Sequence, residues 1–340
     1  MESPYALAKN ILSSGEKGIR SGSEPGKFTS IDLYGVFARE NTAEDGCDRR
    51  FHLENESGTG DITLYRAFPG IELVYNDMHM AYCNQHQEPA PYVMEINYCK
   101  EGRSECLFGD HQYCYMSAGD LAFCSLHNSA HQSEFPTAHY HGITVTIDFS
   151  AVTEEMQSVL ELLSVDLGRI KALAQVQDFT IIRANPTIEH IFSELYQVPS
   201  AIRFGYIRVK LLELLLVLTE LEPKQEPSKP YFPAAQIEAV KQIHGFLVAH
   251  YGEHYTIEEL SRQFELSPTV LKKCFRGVYG DSVYAYMKKY RLQMAQRLLK
   301  ETKLTVGEIA AQVGYLNPNK FTSAFCAAYG VPPTAYRKEV

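Results

Sequence analysis

The side chains best suited to chemistry lie near the carboxy end of the sequence. Thr269, Lys272, Lys273 and Arg276 recur at i, i+3, i+4 and i+7, so on a helix they share one face, while Val270, Leu271, Cys274, Phe275 and Val278 take the opposite stripe. A helix held by its apolar side and presenting Thr, Lys, Lys and Arg fits a DNA major groove, where Lys and Arg reach guanine O6 and N7 and a threonine methyl meets thymine. A second run, Asn319, Lys320, Thr322 and Ser323, offers a similar hydrogen-bonding face with one cation. Upstream, a different chemistry is open. His139 and His141 share strand parity with Ile143, Val145, Ile147 and Phe149, and His127 shares it with Leu121 and Phe123, which predicts three imidazoles facing a sheet interior. Such histidines can sit as polar core or rim residues, touch an organic ligand, or hold a metal. An HxH followed in order by a Glu and a later His is absent, so no metal is assigned. Tyr98 and Arg103 are further pocket candidates.

The carboxy-terminal runs belong to an internal repeat. Thr256 to Pro268 aligns with Thr305 to Pro318, with one residue inserted in the second copy, and Leu271, Phe275, Tyr279 and Tyr286 match Phe321, Phe325, Tyr329 and Tyr336. Thr256 and Thr305 are each followed three residues later by a Glu, the spacing of a capping box. Each copy therefore reads as a short helix, a tight turn and a second helix. Ser282 to Thr302 reads as one continuous helix carrying Lys288, Lys289, Arg291, Arg297 and Lys300. Twenty helical residues span roughly 30 Å, close to the ~34 Å between successive major-groove faces.

Charge divides along the same boundary. Residues 234–340 hold 14 Lys and Arg against 9 Asp and Glu, whereas residues 1–233 hold 18 against 32, within a net charge of −9. A basic carboxy-terminal part suits a polyanion; the acidic remainder needs another task. Hydrophobic residues make up 45% and charged residues 21%, the composition of a folded protein rather than a disordered one. No stretch is long and apolar enough for a membrane span and the amino end lacks a secretory signal, so the expected location is the cytoplasm, with no membrane partner. The eight cysteines form no CxxC pair and read as buried small hydrophobes.

Residues 1–60 show no periodicity and read as an extension. Between 61 and 150, alternating runs at 72–76, 92–99, 105–108, 113–116, 121–126 and 143–149 predict a β-barrel or sandwich, with Glu101-Gly102, Gly109-Asp110 and Gly119-Asp120 as turns. Residues 151–222 turn helical, and Ser200 is placed to cap a helix to Leu221 whose apolar half implies a homodimer, with Leu215 and Leu218 at the seam. Four prolines make 223–233 a linker, and 234–340 form the last domain.

That last stretch resembles the DNA-binding domain of the AraC/XylS family of bacterial regulators. The resemblance rests on Ile309 to Tyr315, Asn317 to Phe325 and Tyr329 to Arg337, with Cys326, Ala327 and Ala328 standing where the family is often basic. It implies base-reading positions at Thr269, Lys272, Lys273, Asn319, Lys320, Thr322 and Ser323. It also implies double-stranded promoter DNA and RNA polymerase as partners, an activator rather than an enzyme, and no cofactor. The β-rich region is similar to the family's cupin-like sensor domains, which implies a small-molecule effector bound within residues 61–150 at Tyr98, Arg103, His127, His139 and His141. The fold class expected is thus α+β: a cupin-like barrel, a helical dimerisation element and an all-α double helix-turn-helix. The alternative is a cupin-type metalloprotein or enzyme with a DNA-tethering domain.

Overall fold

Strand alternation begins earlier than residue 61. In the computed structural model, which describes residues 28–34, 38–41, 49–84, 90–108, 112–126, 132–175, 179–222 and 232–339, strands β1 (Ala38–Asn41), β2 (Arg49–Asn55) and β3 (Gly58–Phe68) pair in succession. They continue through β4 (Ile71–His79), β10 (Tyr140–Asp148), β6 (Ala90–Phe108) and β7 (Gln112–Ser117), every pairing antiparallel. β8 (Asp120–Leu126) also joins β6, and β11 (Phe179–Arg183) joins β8. β5 (Tyr82–Asn84) and β9 (Gln132–Glu134) form a small pair beside β6. The supposed extension thus supplies sheet strands, and the helical region 151–222 contributes one strand as well.

The two predicted strands at 92–99 and 105–108 are one. β6 runs through Glu101-Gly102 without a hairpin, because His141 pairs with Glu101 and Gly142 with Cys99, which leaves Lys100 as the extra residue of a bulge. The turn expected at Gly119 is present between β7 and β8, with Gly119 at φ +81°; Gly109-Asp110 lies outside the described residues.

Both sheet faces are buried. One packs Leu73, Ile96, Phe123, Val145 and Ile147 against the helices α1 (Glu154–Leu162), α2 (Leu167–Gln175), α3 (Pro186–Leu195) and α4 (Arg203–Thr219). The other gathers Phe51, Leu64, Val74, Met78, Cys99, Cys114, Phe135 and Tyr140. Burial on both faces extends to the polar positions of β10, where Thr144, Thr146 and Asp148 are buried on the face opposite Ile143, Val145 and Ile147. Ser200 does not cap α4: it starts a 3-10 turn, and Ile202 is the N-cap, without a side-chain bond. Leu215 and Leu218 are fully buried within their own chain, so they cannot form a seam with a second copy. The apolar residues that α4 and its approach leave exposed are Ile202, Val209 and Leu216, at 56%, 62% and 42% exposure and seven residues apart.

Most of the expected linker, 223–231, lies outside the described residues. Its end is anchored: Phe232–Pro233 forms the short strand β12 on β7, and Phe232 is buried. Beyond it come α5 (Ala234–Ala249), α6 (Ile257–Gln263), α7 (Pro268–Tyr279), α8 (Val283–Glu301), α9 (Val306–Gln312), α10 (Pro318–Tyr329) and α11 (Pro333–Glu339). They build two cores, one around Leu260, Leu271, Phe275 and Val278 and one around Ile309, Val313, Phe321 and Phe325. Among the described residues no helix is long and apolar enough to cross a membrane. Cys83, Cys99, Cys114 and Cys274 are buried thiols, and Cys106, Cys124 and Cys326 are partly so.

Candidate nucleic-acid interface

The two helix-turn-helix units are built by the same local rules. Thr256 and Thr305 each accept from the backbone N–H three residues on, while Glu259 and Glu308 bond back, completing both capping boxes. Ser267 and Asn317 cap the second helices, each followed by a proline at the first helical position, and both helices end on a left-handed glycine, Gly280 at φ +84° and Gly330 at +78°. Behind each reading helix stands a triangle of rings. Phe275 lies 4.7 Å from Tyr279 and 5.7 Å from Tyr286; Phe325 lies 4.6 Å from Tyr329 and 5.6 Å from Tyr336. The third tyrosine is satisfied differently in the two units. His244 Nε2 is 2.8 Å from the Tyr286 hydroxyl, whereas Gln296 Nε2 donates to Tyr336 Oη at 2.6 Å. Burial drives the His244 pKa down to about 4, so its imidazole is neutral at pH 7.

With Leu271, Cys274, Phe275 and Val278 turned inward, α7 leaves Thr269, Lys272, Lys273 and Arg276 exposed on one side. On α10, Asn319, Lys320 and Ser323 are exposed and Thr322 is half-buried, its hydroxyl bonded to the Pro318 carbonyl at 3.0 Å. α8 joins the units, capped by Ser282 and ending at Thr302 as the spacing predicts. Its basic face is smaller than expected. Arg291 is buried, donating to the Tyr251 and Glu253 carbonyls at 2.7 and 2.5 Å, and so ties the first unit to the helix rather than facing outward. Lys289 pairs with Asp281 and Arg297 with Glu301.

The effector candidates do not converge. Tyr98 is stacked on Phe192 at 4.2 Å in the helix-covered core. His127 lies outside the described residues. His139 and His141 stand together with His79, which the sequence reading missed, on the sheet face shared with the helices rather than on the other face. Arg103 reaches the DNA-binding half: its guanidinium donates to the carbonyl of Gly277 in the last turn of α7, one of the carbonyls a helix leaves without a partner. The Phe232 ring fills the space beside Gly277, where a Cβ would come within 2.4 Å of it. Around this point Lys241 on α5 binds Glu105 at 2.8 Å and Glu134 at 2.5 Å, and Tyr115 donates to Glu105 at 2.5 Å. Burial pushes the Glu105 carboxyl up to about 7, with repulsion from Glu134 adding to it and Lys241 opposing. Sequence reasoning found none of these acids, because only the β6–β9 pairing sets Glu105 opposite Glu134. A separate cavity of about 430 Å3 opens between the sheet and α4, lined by Arg66, Phe68, Glu72, Thr146, Asp148 and Arg208.

Comparison with known proteins agrees with the repeat. A helix-turn-helix domain family matches residues 260–339. The Msm operon regulatory protein of Streptococcus mutans is 29% identical over 134 residues, 38% of this chain and 45% of that protein. The transcriptional activator RhaR of Pectobacterium carotovorum is 30% identical over 127 residues, 37% of this chain and 44% of that one. The alignments thus span less than half the length of these relatives. Among solved structures, a probable AraC family regulator from Rhodopseudomonas palustris is 29% identical, covering 30% of this chain and 96% of that one, with a TM-score of 0.28. The paired, identically capped helix-turn-helix units and the match over residues 260–339 make the carboxy-terminal part of this chain a helix-turn-helix domain of the AraC/XylS type found in DNA-binding transcription regulators.

Proposed function

We propose that the chain is a ligand-controlled, non-enzymatic activator in the cytoplasm. In this reading it grips promoter DNA with Thr269, Lys272, Lys273 and Arg276 in one groove and Asn319, Lys320, Thr322 and Ser323 in the next. The observation that carries it is the pair of exposed polar faces on α7 and α10, joined by the 19-residue α8, a length of about 28 Å at 1.5 Å per residue. The cupin-like β-rich half acts as sensor, and the small-molecule effector occupies the cavity at Arg66, Glu72 and Arg208. A ligand shifts an equilibrium only through unequal affinity for two arrangements, and the contact of Arg103 and Lys241 with the first unit supplies an arrangement to shift. Two copies pair through Ile202, Val209 and Leu216, and RNA polymerase is the protein partner of an activator.

Selection of bound DNA from a random pool, followed by footprinting, tests the reading: two protected major-groove segments about one helical turn apart are expected per chain. A single protected segment overturns it. For the dimer, Val209→Glu with Leu216→Glu should halve the mass in sedimentation while leaving the fold intact; a native protein that is monomeric with and without DNA refutes the pairing.

A further inference from the structure

Five strands bring one transverse row of ionisable residues into register. His52 on β2 pairs with Asp61 on β3, Asp61 with Asp77 on β4, Asp77 with His141 on β10, and His141 with Glu101 on β6. His79, two residues beyond Asp77 on β4, and His139, two before His141, flank this row on the same side. Asp61 and Asp77 stand directly opposite each other, a like-charge pairing that costs stability in a sheet unless a cation lies beside it.

We propose that His79, His139 and His141, with Asp77 completing the set, form a binding site for a divalent first-row transition metal ion. The imidazole donors of the three histidines lie within 4.8 Å of one another. His79 Nε2 lies 3.4 Å from His141 Nε2, and the other nitrogen of the same ring, Nδ1, lies 3.4 Å from His139 Nδ1. Two nitrogens bound to one zinc at about 2.0–2.1 Å in a tetrahedral arrangement stand roughly 3.3–3.4 Å apart, so the His79–His141 Nε2 pair already has the length of a ligand edge, and the His139 imidazole supplies the third donor within 4.8 Å of both. Asp77 Oδ1 lies 2.9 Å from His79 Nε2 and 2.7 Å from His141 Nε2, close enough to serve as the fourth ligand. Glu101 Oε2, 3.6 Å from His139 Nε2 and 3.8 Å from His141 Nδ1, is placed to orient the rings from behind. Three imidazoles favour zinc, copper, nickel, cobalt or iron and disfavour magnesium and calcium, which take oxygen ligands. The side chains are half-exposed, with His141 at 24% and His79 at 57%, so an ion can enter without the sheet opening. The site is distinct from the cavity at Arg66 and does not depend on where the effector binds.

The test titrates the full chain, stripped by a chelator, with Zn2+ in competition with a metal-sensitive dye, and separately with Co2+ followed by visible absorption. One equivalent per chain at micromolar or tighter affinity is expected, with a Co2+ spectrum of a four- or five-coordinate, nitrogen-bound ion. His139→Ala and His141→Ala should each weaken binding at least tenfold, Asp77→Asn by about 10- to 100-fold, and His190→Ala, on the surface of α3, not at all. Far-UV circular dichroism confirms that each variant is folded, and the isosteric Asp77→Asn serves where an alanine does not fold. Absence of stoichiometric uptake by the unaltered chain overturns the proposal, as does uptake that survives His139→Ala with His141→Ala.

Discussion

The two helix-turn-helix units share caps, turn residues and a triangle of rings, yet they are held differently. The second is supported by α8, α11 and the loop after α5, where Tyr251 packs on its core and His254 bonds to the Gly314 carbonyl, and its last tyrosine bonds to a neutral glutamine, Gln296. The first rests on α5 and, through Phe232, Arg103 and Lys241, on the β-rich half, and its last tyrosine bonds to a buried histidine. Its reading face carries three cations, against one on the second. Duplication of a motif therefore did not produce two equivalent hands: the unit that presents more charge is also the unit that the rest of the chain grips.

The sharpest way to break that comparison is acid. Because His244 is neutral in the folded chain and its pKa falls from the usual 6.5 to about 4, the stability tied to it is present above pH 6.5 and lost as pH falls towards 4. The first unit should lose about 3 kcal/mol over that window, at roughly 1.4 kcal/mol per pH unit. The second should lose none on this account, and His244→Gln should make the first behave like it. Amide exchange of α7 and α10 at pH 7 and pH 4.5 measures both; equal acid sensitivity in the two helices, or a His244→Gln chain as sensitive as the parent, breaks the distinction.

Next in size is the grip itself. Arg103→Ala removes a charged donor from the end of α7, an interaction of about 1.5–3 kcal/mol, and should lower exchange protection in α7 while leaving α10 unchanged. Loss shared evenly by both helices would mean that Arg103 supports the whole domain rather than one unit. The smallest effect is on DNA. Lys273→Ala should cost about 1–3 kcal/mol of affinity for one operator, and Lys320→Ala less, each flattening the salt dependence by about one unit for a lost phosphate contact. A larger loss at Lys320 reverses the ranking of the two units.

What could be read beforehand follows from where the information lies. Capping boxes, proline at the first helical position, terminal glycines and 3.6-residue periodicity are local, so α6 to α10 were legible almost to the residue. The shared parity of His139, His141, Ile143 and Val145 was legible too, but not the face they take, since helices from 154–219 cover the side a single strand suggests is an interior. His79 and Asp77 join those histidines only through the β4–β10 register, and Glu105 meets Lys241 across 136 residues of chain. Leu215 and Leu218 looked surplus because an apolar helix does not reveal how many partners its own chain provides. Arg291 looked solvated because alternation on α8 says nothing of the loop at 251–254 that folds over it.

The bulge at Lys100 has a consequence for how such a chain can change over generations. Before it, Met94, Ile96 and Tyr98 face the helices; after it, the odd-numbered Glu101, Arg103 and Glu105 continue on that side, while Cys99 and Cys106 stay with the opposite core. Because Lys100 is the extra residue, removing it would restore a regular ladder, with Cys99 still opposite Gly142 and Glu101 still opposite His141, and would leave those three side chains on the same face. Removing a second would turn them to the other face, since a slip of one inverts a strand. Lineages of this fold can therefore lose one residue of β6 at Lys100 and keep the seat of the first helix-turn-helix unit, whereas a loss of two marks a descendant in which Arg103 no longer reaches that unit.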